Sequence, residues 1–97
     1  MSTEFLNTFT ETLKETLDEI EVSQKEVAQS TGIPETHLSQ MKHGKRRITA
    51  EYDLRLSRYF GTSVGFWLRL QMAADIRQVQ STKGTQIEKE VAPRLIA

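Results

Sequence analysis

The stretch Gln24-Lys25-Glu26-Val27-Ala28-Gln29-Ser30-Thr31-Gly32-Ile33-Pro34-Glu35-Thr36-His37-Leu38-Ser39-Gln40-Met41-Lys42-His43-Gly44 decides the reading of this chain. Ala28 falls in the first of two short helical segments, and Gly32 falls in the turn four residues on. Ile33, Leu38 and Met41 are the inward positions that follow. Two helices that cross closely need a small residue on the inner face of the first, here Ala28. The turn between them needs a residue free to take positive φ, here Gly32. The second helix needs an apolar pair to anchor its back, which leaves its other side free to enter a groove. These five positions in register predict a helix-turn-helix over about residues 24–44. An αα corner in a small bundle would meet some of the same demands; the basic residues that follow favour DNA.

Outward from this segment the punctuation is helical throughout. Phe9, Leu13, Leu17 and Ile20 recur at spacings of four, four and three, which predicts a first helix over Thr8–Ile20, with Thr8 and Glu11 as a capping box. Ser23 and Glu26 fit a second capping box, for a helix that runs to about Thr31 and stops at Gly32. Pro34 is placed to open the third helix at its first position, and Gly44 ends it. Thr49 caps a fourth, Ala50 to Phe60, stopped by Gly61. Ser63 caps a fifth, about Val64 to Val79. Gln80-Ser81-Thr82-Lys83-Gly84-Thr85 reads as a polar linker, followed by a tail with scattered Ile87, Val91, Leu95 and Ile96. The expected class is all-α, with five helices over residues 1–79 and a linker and tail over 80–97.

The chain has 97 residues, enough for one small domain. It is 37% apolar and 27% charged, a globular profile rather than a disordered one. It has no cysteine, which excludes disulfides, zinc-thiolate sites and cysteine nucleophiles and fits a reducing cytoplasm. Apolar runs are only a few residues long, so no membrane span is expected. Met1-Ser2-Thr3-Glu4-Phe5 has neither the basic start nor the long apolar run of a secretory signal. Catalysis finds no inventory. His37 and His43 are six apart with no third ligand, and there is no phosphate-binding loop, dinucleotide fingerprint or nucleophile elbow. No cofactor is implied.

The formal net charge of zero hides a sorting. Residues 1–35 carry two basic side chains against eight acidic ones, and residues 36–83 carry nine basic against three acidic. An acidic front beside a basic middle fits either two solvated faces or two partners of opposite charge.

Further residues carry a resemblance to a known family. The helix-turn-helix segment resembles the Cro/CI type. The runs Gly44-Lys45-Arg46-Arg47-Ile48-Thr49-Ala50, Leu54-Arg55-Leu56-Ser57-Arg58-Tyr59-Phe60-Gly61-Thr62-Ser63 and Phe66-Trp67-Leu68-Arg69-Leu70-Gln71, with Asp75-Ile76-Arg77 after them, resemble the HigA-type antitoxins, the VapI-like regulators. Arg94-Leu95-Ile96-Ala97 is similar to the tail of some members. The chain departs from the pattern where the family has a His-Pro-Gly-Glu lead-in and this sequence has Thr8-Phe9-Thr10-Glu11. It departs again where Val64-Gly65 replaces Pro-Glu, and where Ala74 stands for an aromatic. Inside the fifth helix Gly65 would cost about 1 kcal/mol relative to Ala. The resemblance implies a five-helix, lambda-repressor-like DNA-binding domain. It also implies a bacterial dimer that represses its own operon and neutralises a co-encoded toxin, commonly an mRNA-cleaving ribonuclease.

By register within that family, Glu35, Thr36 and Gln40 face base edges, with Ser39 and His43 close by. Gln suits adenine, Thr a thymine methyl, and Glu only cytosine N4; Glu35 serves equally as a charge that complements the helix dipole. Ser23 and Gln24 head a helix whose free N–H groups suit a phosphate. Lys42, Lys45, Arg46 and Arg47 suit phosphates too, although a basic loop is otherwise simply solvated. The fifth helix is apolar nearly all round, which calls for two partners. Phe66, Trp67, Leu68, Leu70, Met72 and Ile76 are its expected dimer residues in a two-fold contact; burial under the tail is the alternative. Such a dimer implies an inverted-repeat operator. The acidic residues Glu11, Glu15, Asp18 and Glu19 would complement a cationic toxin, with the tail as a competing site. A stand-alone repressor of the same fold, and a protein-interaction module that has lost DNA, are the other readings.

Overall fold

The computed structural model describes residues 4–95, with side chains from residue 8 onward. The described residues form five helices and no strand: α1 (Glu4–Glu19), α2 (Gln24–Thr31), α3 (Glu35–Lys42), α4 (Ala50–Phe60) and α5 (Phe66–Glu90). The all-α, five-helix expectation holds. So do the caps read for α2 and α4: the Ser23 hydroxyl accepts from the Glu26 N–H at 3.1 Å, and that of Thr49 accepts from the Tyr52 N–H at 3.2 Å.

One core joins the elements. The α1 stripe Phe9, Leu13 and Leu17 meets Val27 and Ala28 of α2, Leu38 and Met41 of α3, Leu56 of α4 and Trp67 of α5. The helix-turn-helix is fastened in three ways. Gly32 takes φ +77°, and its N–H closes onto the Ala28 carbonyl at 2.9 Å. The buried Thr31 hydroxyl donates to the Val27 carbonyl and accepts from the Ile33 N–H. The Arg55 guanidinium reaches across from α4 to the Thr31 carbonyl at 2.9 Å. The positive φ requires glycine here, and a Cβ would also stand 2.6 Å from that guanidinium, the movable end of a flexible side chain.

Several boundaries differ from expectation. α1 begins at Glu4, so Thr8 lies within the helix and accepts a hydrogen bond from Arg77 instead of capping. Pro34 is the N-cap of α3, not its first residue, because its ψ of 140° is extended. The largest difference is at the far end. The expected linker over 80–85 is helical, and α5 runs unbroken to Glu90. At 1.5 Å per residue it is about 37 Å long, which accounts for much of the molecule's 54 Å extent. Residues 91–95 carry no helix and are exposed, so they do not bury α5. The expectations for Ile96, Ala97 and the first three residues lie outside the described residues.

The start of α5 also departs from the reading. Ser63 does not cap it, and Gly65 is not inside it. Gly65 sits at the N-cap with φ +87°, so the expected helix penalty does not arise. The cap comes from another helix. Asp53 of α4, 2% exposed, accepts from the Gly65 N–H at 2.6 Å, the Trp67 N–H at 2.9 Å and the Leu68 N–H at 3.0 Å. A helix leaves its first four N–H groups without internal partners, and a buried start needs acceptors from elsewhere. One carboxylate supplies them and complements the positive end of the helix dipole.

Candidate nucleic-acid interface

α3 presents one face to the core and another to the outside. Leu38 and Met41 are fully buried, while Glu35, Thr36, Gln40 and His43 are exposed and Ser39 is half-exposed. All five residues expected to face base edges thus border the open side of the helix. His37 is half-buried, and its Nδ1 lies 2.7 Å from the Tyr52 hydroxyl. That bond ties α3 to α4 from the side away from the open face.

Two contacts preset the open face. Arg46 Nε donates to Gln40 Oε1 at 2.7 Å. This orients the amide and leaves it one acceptor lone pair and two donor protons, the set a bidentate pairing uses. His43 Nδ1 is bonded to the Ser39 carbonyl at 2.8 Å, which directs its other ring nitrogen away from the helix.

The expected phosphate residues surround this face. Ser23 is exposed and Gln24 half-buried at the start of α2. Lys42 is half-buried, and Lys45 and Arg46 are exposed in the loop after α3. Arg47 is differently placed. Its guanidinium is paired side-on with the Asp75 carboxylate of α5, Nη1 to Oδ1 at 3.2 Å and Nη2 to Oδ2. That hydrogen bond and the adjacent negative charge raise the Arg47 pKa. One turn earlier on α5, Gln71 holds the same loop by its backbone. Gln71 Oε1 accepts from the Ile48 N–H at 2.8 Å, and Nε2 donates to the Ile48 carbonyl at 3.3 Å.

The sequence reading had no role for Gln71, Asp75, Asp53, Arg55 or His37. Asp53 left a faint signal: it stands three residues before Leu56, on the stripe that should be apolar. The other pairings span 15 to 28 residues of chain and leave no spacing to read.

The expected dimer residues divide. Trp67 does not belong to a free surface: it is 1% exposed and packed edge-on against Phe9 and Phe66 and tilted against Phe60. Phe66, Leu68 and Leu70 are half-buried against the core. Met72 and Ile76 are half-exposed, as is Val79 one turn on. On α1 the side chains of Glu11, Glu15, Asp18 and Glu19 all point outward, opposite the buried Phe9, Leu13 and Leu17. Among the described residues there is no cluster of three or more side chains fit to hold a metal, and no helix long and apolar enough to cross a membrane.

Comparison with known proteins agrees with this geometry. A helix-turn-helix family model matches residues 13–67. The structure of an addiction module antidote protein of the HigA family from Coxiella burnetii superposes with a TM-score of 0.82 at 39% identity, covering 90% of this chain and 96% of that one. Pseudomonas aeruginosa PA4674, solved in complex with an 18-bp operator DNA, superposes at 0.83 with 31% identity over 92% of this chain and 95% of its own. The Escherichia coli (strain K12) HTH-type transcriptional regulator YbaQ is 33% identical over 76 residues, 78% of this chain and 67% of that protein. With its buried Leu38–Met41 seam and its open α3 face, the chain belongs to the helix-turn-helix family, with the HigA-type proteins as its structural kin.

Proposed function

We propose that this chain is a sequence-specific DNA-binding antitoxin of a type II toxin–antitoxin module, which represses its own operon as a dimer and neutralises a ribonuclease-type toxin in the cytoplasm. The observation that carries the DNA-binding part is the α3 face: Thr36 and Gln40 stand free of the core that Leu38 and Met41 enter. The likeness to an operator-bound protein along nearly its whole length supports it.

In this reading α3 lies in the major groove. Gln40, oriented by Arg46, pairs with adenine, and Thr36 meets a thymine methyl. Glu35, Ser39 and His43 complete the base contacts. Ser23, Gln24, Lys42, Lys45 and Arg46 hold phosphates and set the register. One α3 reads only a few base pairs, so a two-fold dimer reads an inverted repeat with half-sites about 34 Å apart. The exposed Met72 and Ile76 on α5, with the half-buried Phe66, Leu68 and Leu70 beside them, form the dimer face.

The test is binding to the DNA upstream of the chain's own gene, measured by fluorescence anisotropy over a salt series. Six neutralised phosphates per dimer give a slope of log K against log salt near −5. Gln40→Ala is expected to cost about 1–3 kcal/mol per subunit and to relax the preference at one base pair. Equal loss of all sequences, or no binding by the unaltered protein, removes this reading.

The toxin part rests on the HigA likeness and on the outward acidic face of α1. Co-expression with the neighbouring gene should co-purify a small basic protein, and reversing Glu15, Asp18 and Glu19 to Lys should abolish the pairing while operator binding persists. Retention of the partner by that variant moves the toxin site elsewhere. Absence of any partner leaves a stand-alone repressor.

A further inference from the structure

The loop between α3 and α4 is basic and exposed up to Arg47, and α5 grips it at two successive residues. Gln71 bonds both the N–H and the carbonyl of Ile48, and Asp75 takes the Arg47 guanidinium side-on. Gln71 and Asp75 are four apart, so they share one face of α5. Ile48 is itself buried at 4% exposure, which seats the loop's end in the core. Lys45 and Arg46, immediately before this anchor, are left exposed, and the Lys45 N–H closes back onto the Gln40 carbonyl at 2.7 Å.

We infer that Gln71 and Asp75 are positioning residues for DNA binding: they clamp residues 47–48 to α5 and so aim Lys45 and Arg46 at the phosphate backbone, while Arg47 serves the clamp and not a phosphate. The inference rests on the proposed DNA-binding reading and refines it.

The physical argument has two parts. First, a flexible loop must be ordered when it meets DNA, and a loop already ordered in the free protein avoids that entropic cost. The bidentate grip on a main-chain N–H and C=O fixes the backbone itself, which no side-chain contact to Arg46 would do. Second, a guanidinium laid side-on against a carboxylate has its best donor pair and its charge already engaged. Moving Arg47 to a phosphate would leave Asp75 uncompensated near a polyanion. The triplet Lys45-Arg46-Arg47, uniform in sequence, is therefore divided in role by which residues α5 can reach.

The experiment compares Gln71→Leu, Arg47→Ala and Lys45→Ala with the unaltered protein, on the upstream DNA and over a salt series. Lys45→Ala should make the salt slope shallower by about 0.9 per subunit, the signature of a lost phosphate. Gln71→Leu and Arg47→Ala should weaken binding roughly five- to tenfold with the slope unchanged, because hydrogen bonds that order the loop are lost and no phosphate contact is. Amide exchange in residues 45–48 should quicken in both, while that of α2 and α3 stays as it was. A slope in Arg47→Ala as shallow as in Lys45→Ala would place Arg47 on a phosphate and overturn the inference. So would unchanged affinity and loop exchange in Gln71→Leu. Arg47 has an exposed side chain outside the core, so its variant keeps the test meaningful if Gln71→Leu fails to fold. Failure of the unaltered protein to bind DNA is a separate outcome, which removes the function and the clamp's purpose together.

Discussion

Asp53→Ala should be among the most destabilising single changes in this chain, costing about 3–4 kcal/mol in urea unfolding. Three N–H groups at the start of α5 use this one carboxylate, two of them through the same oxygen. A hydrogen bond to a charged group contributes about 1.5–3 kcal/mol net, and these bonds share one acceptor group, so their sum is not additive. The truncated site cannot recruit water easily, because Asp53 is 2% exposed. Domains of this kind have only about 5–15 kcal/mol in total, so a large share of stability goes with one side chain. Asp53→Asn keeps one acceptor oxygen and should lose less than Ala. Equal stability of Asp53→Ala and the unaltered protein would show that α5 starts without this cap.

The second large effect concerns Trp67. Trp67→Ala should cost about 3–5 kcal/mol, the range for a buried aromatic removed from a packed core. The indole fills the space where α1, α4 and α5 meet, touching Phe9, Phe60 and Phe66. That loss should appear at every protein concentration, because it belongs to the single chain. Met72→Glu with Ile76→Glu is the contrasting case. Those side chains are half-exposed, so the change should leave the chain's own core intact and shift the proposed dimer toward monomer in sedimentation. If Trp67→Ala instead left the chain folded and merely dissociated it, the indole would belong to an interface after all.

These two residues also show where the reading of sequence succeeds and where it stops. Phe9, Leu13, Leu17, Leu38 and Met41 declared themselves by spacing, because a helix brings every third or fourth residue to one face whatever surrounds it. Ser23, Thr49, Gly32 and Gly61 declared themselves too, since a cap or a left-handed turn is a local demand met within four residues. The reading of α5 failed at both ends. Ser63 is the nearest local capping residue at its start, but the acceptor lies on α4. At its far end Ser81, Thr82, Gly84 and Thr85 are weak helix formers that read as a linker, yet residues 80–90 continue the helix, exposed nearly throughout. Up to Val79 this helix carries apolar residues nearly all round, and no periodicity could say which side the core would take.

Among the candidate site residues, α3 was legible in full. A single amphipathic helix with its back identified has its open side identified as well, so Leu38 and Met41 marked that side; the choice of Glu35, Thr36, Ser39, Gln40 and His43 on it came from the register of the resembled family. The basic loop was legible only as a composition. Lys45, Arg46 and Arg47 carry the same charge in succession, and nothing in their order distinguishes them.

What the chain alone determined is therefore local: five helices, the caps of α2 and α4, the turns at Gly32 and Gly61, and the open face of α3, each fixed by neighbours within a turn or two. What the tertiary structure alone decided is which distant groups meet. Asp53 found the start of α5, Arg55 the turn at Gly32, Trp67 the core instead of the surface, and Gln71 with Asp75 the loop after α3. Such pairings depend on the angles at which helices pack, and those angles are set by the whole core at once, so no short window of sequence contains them.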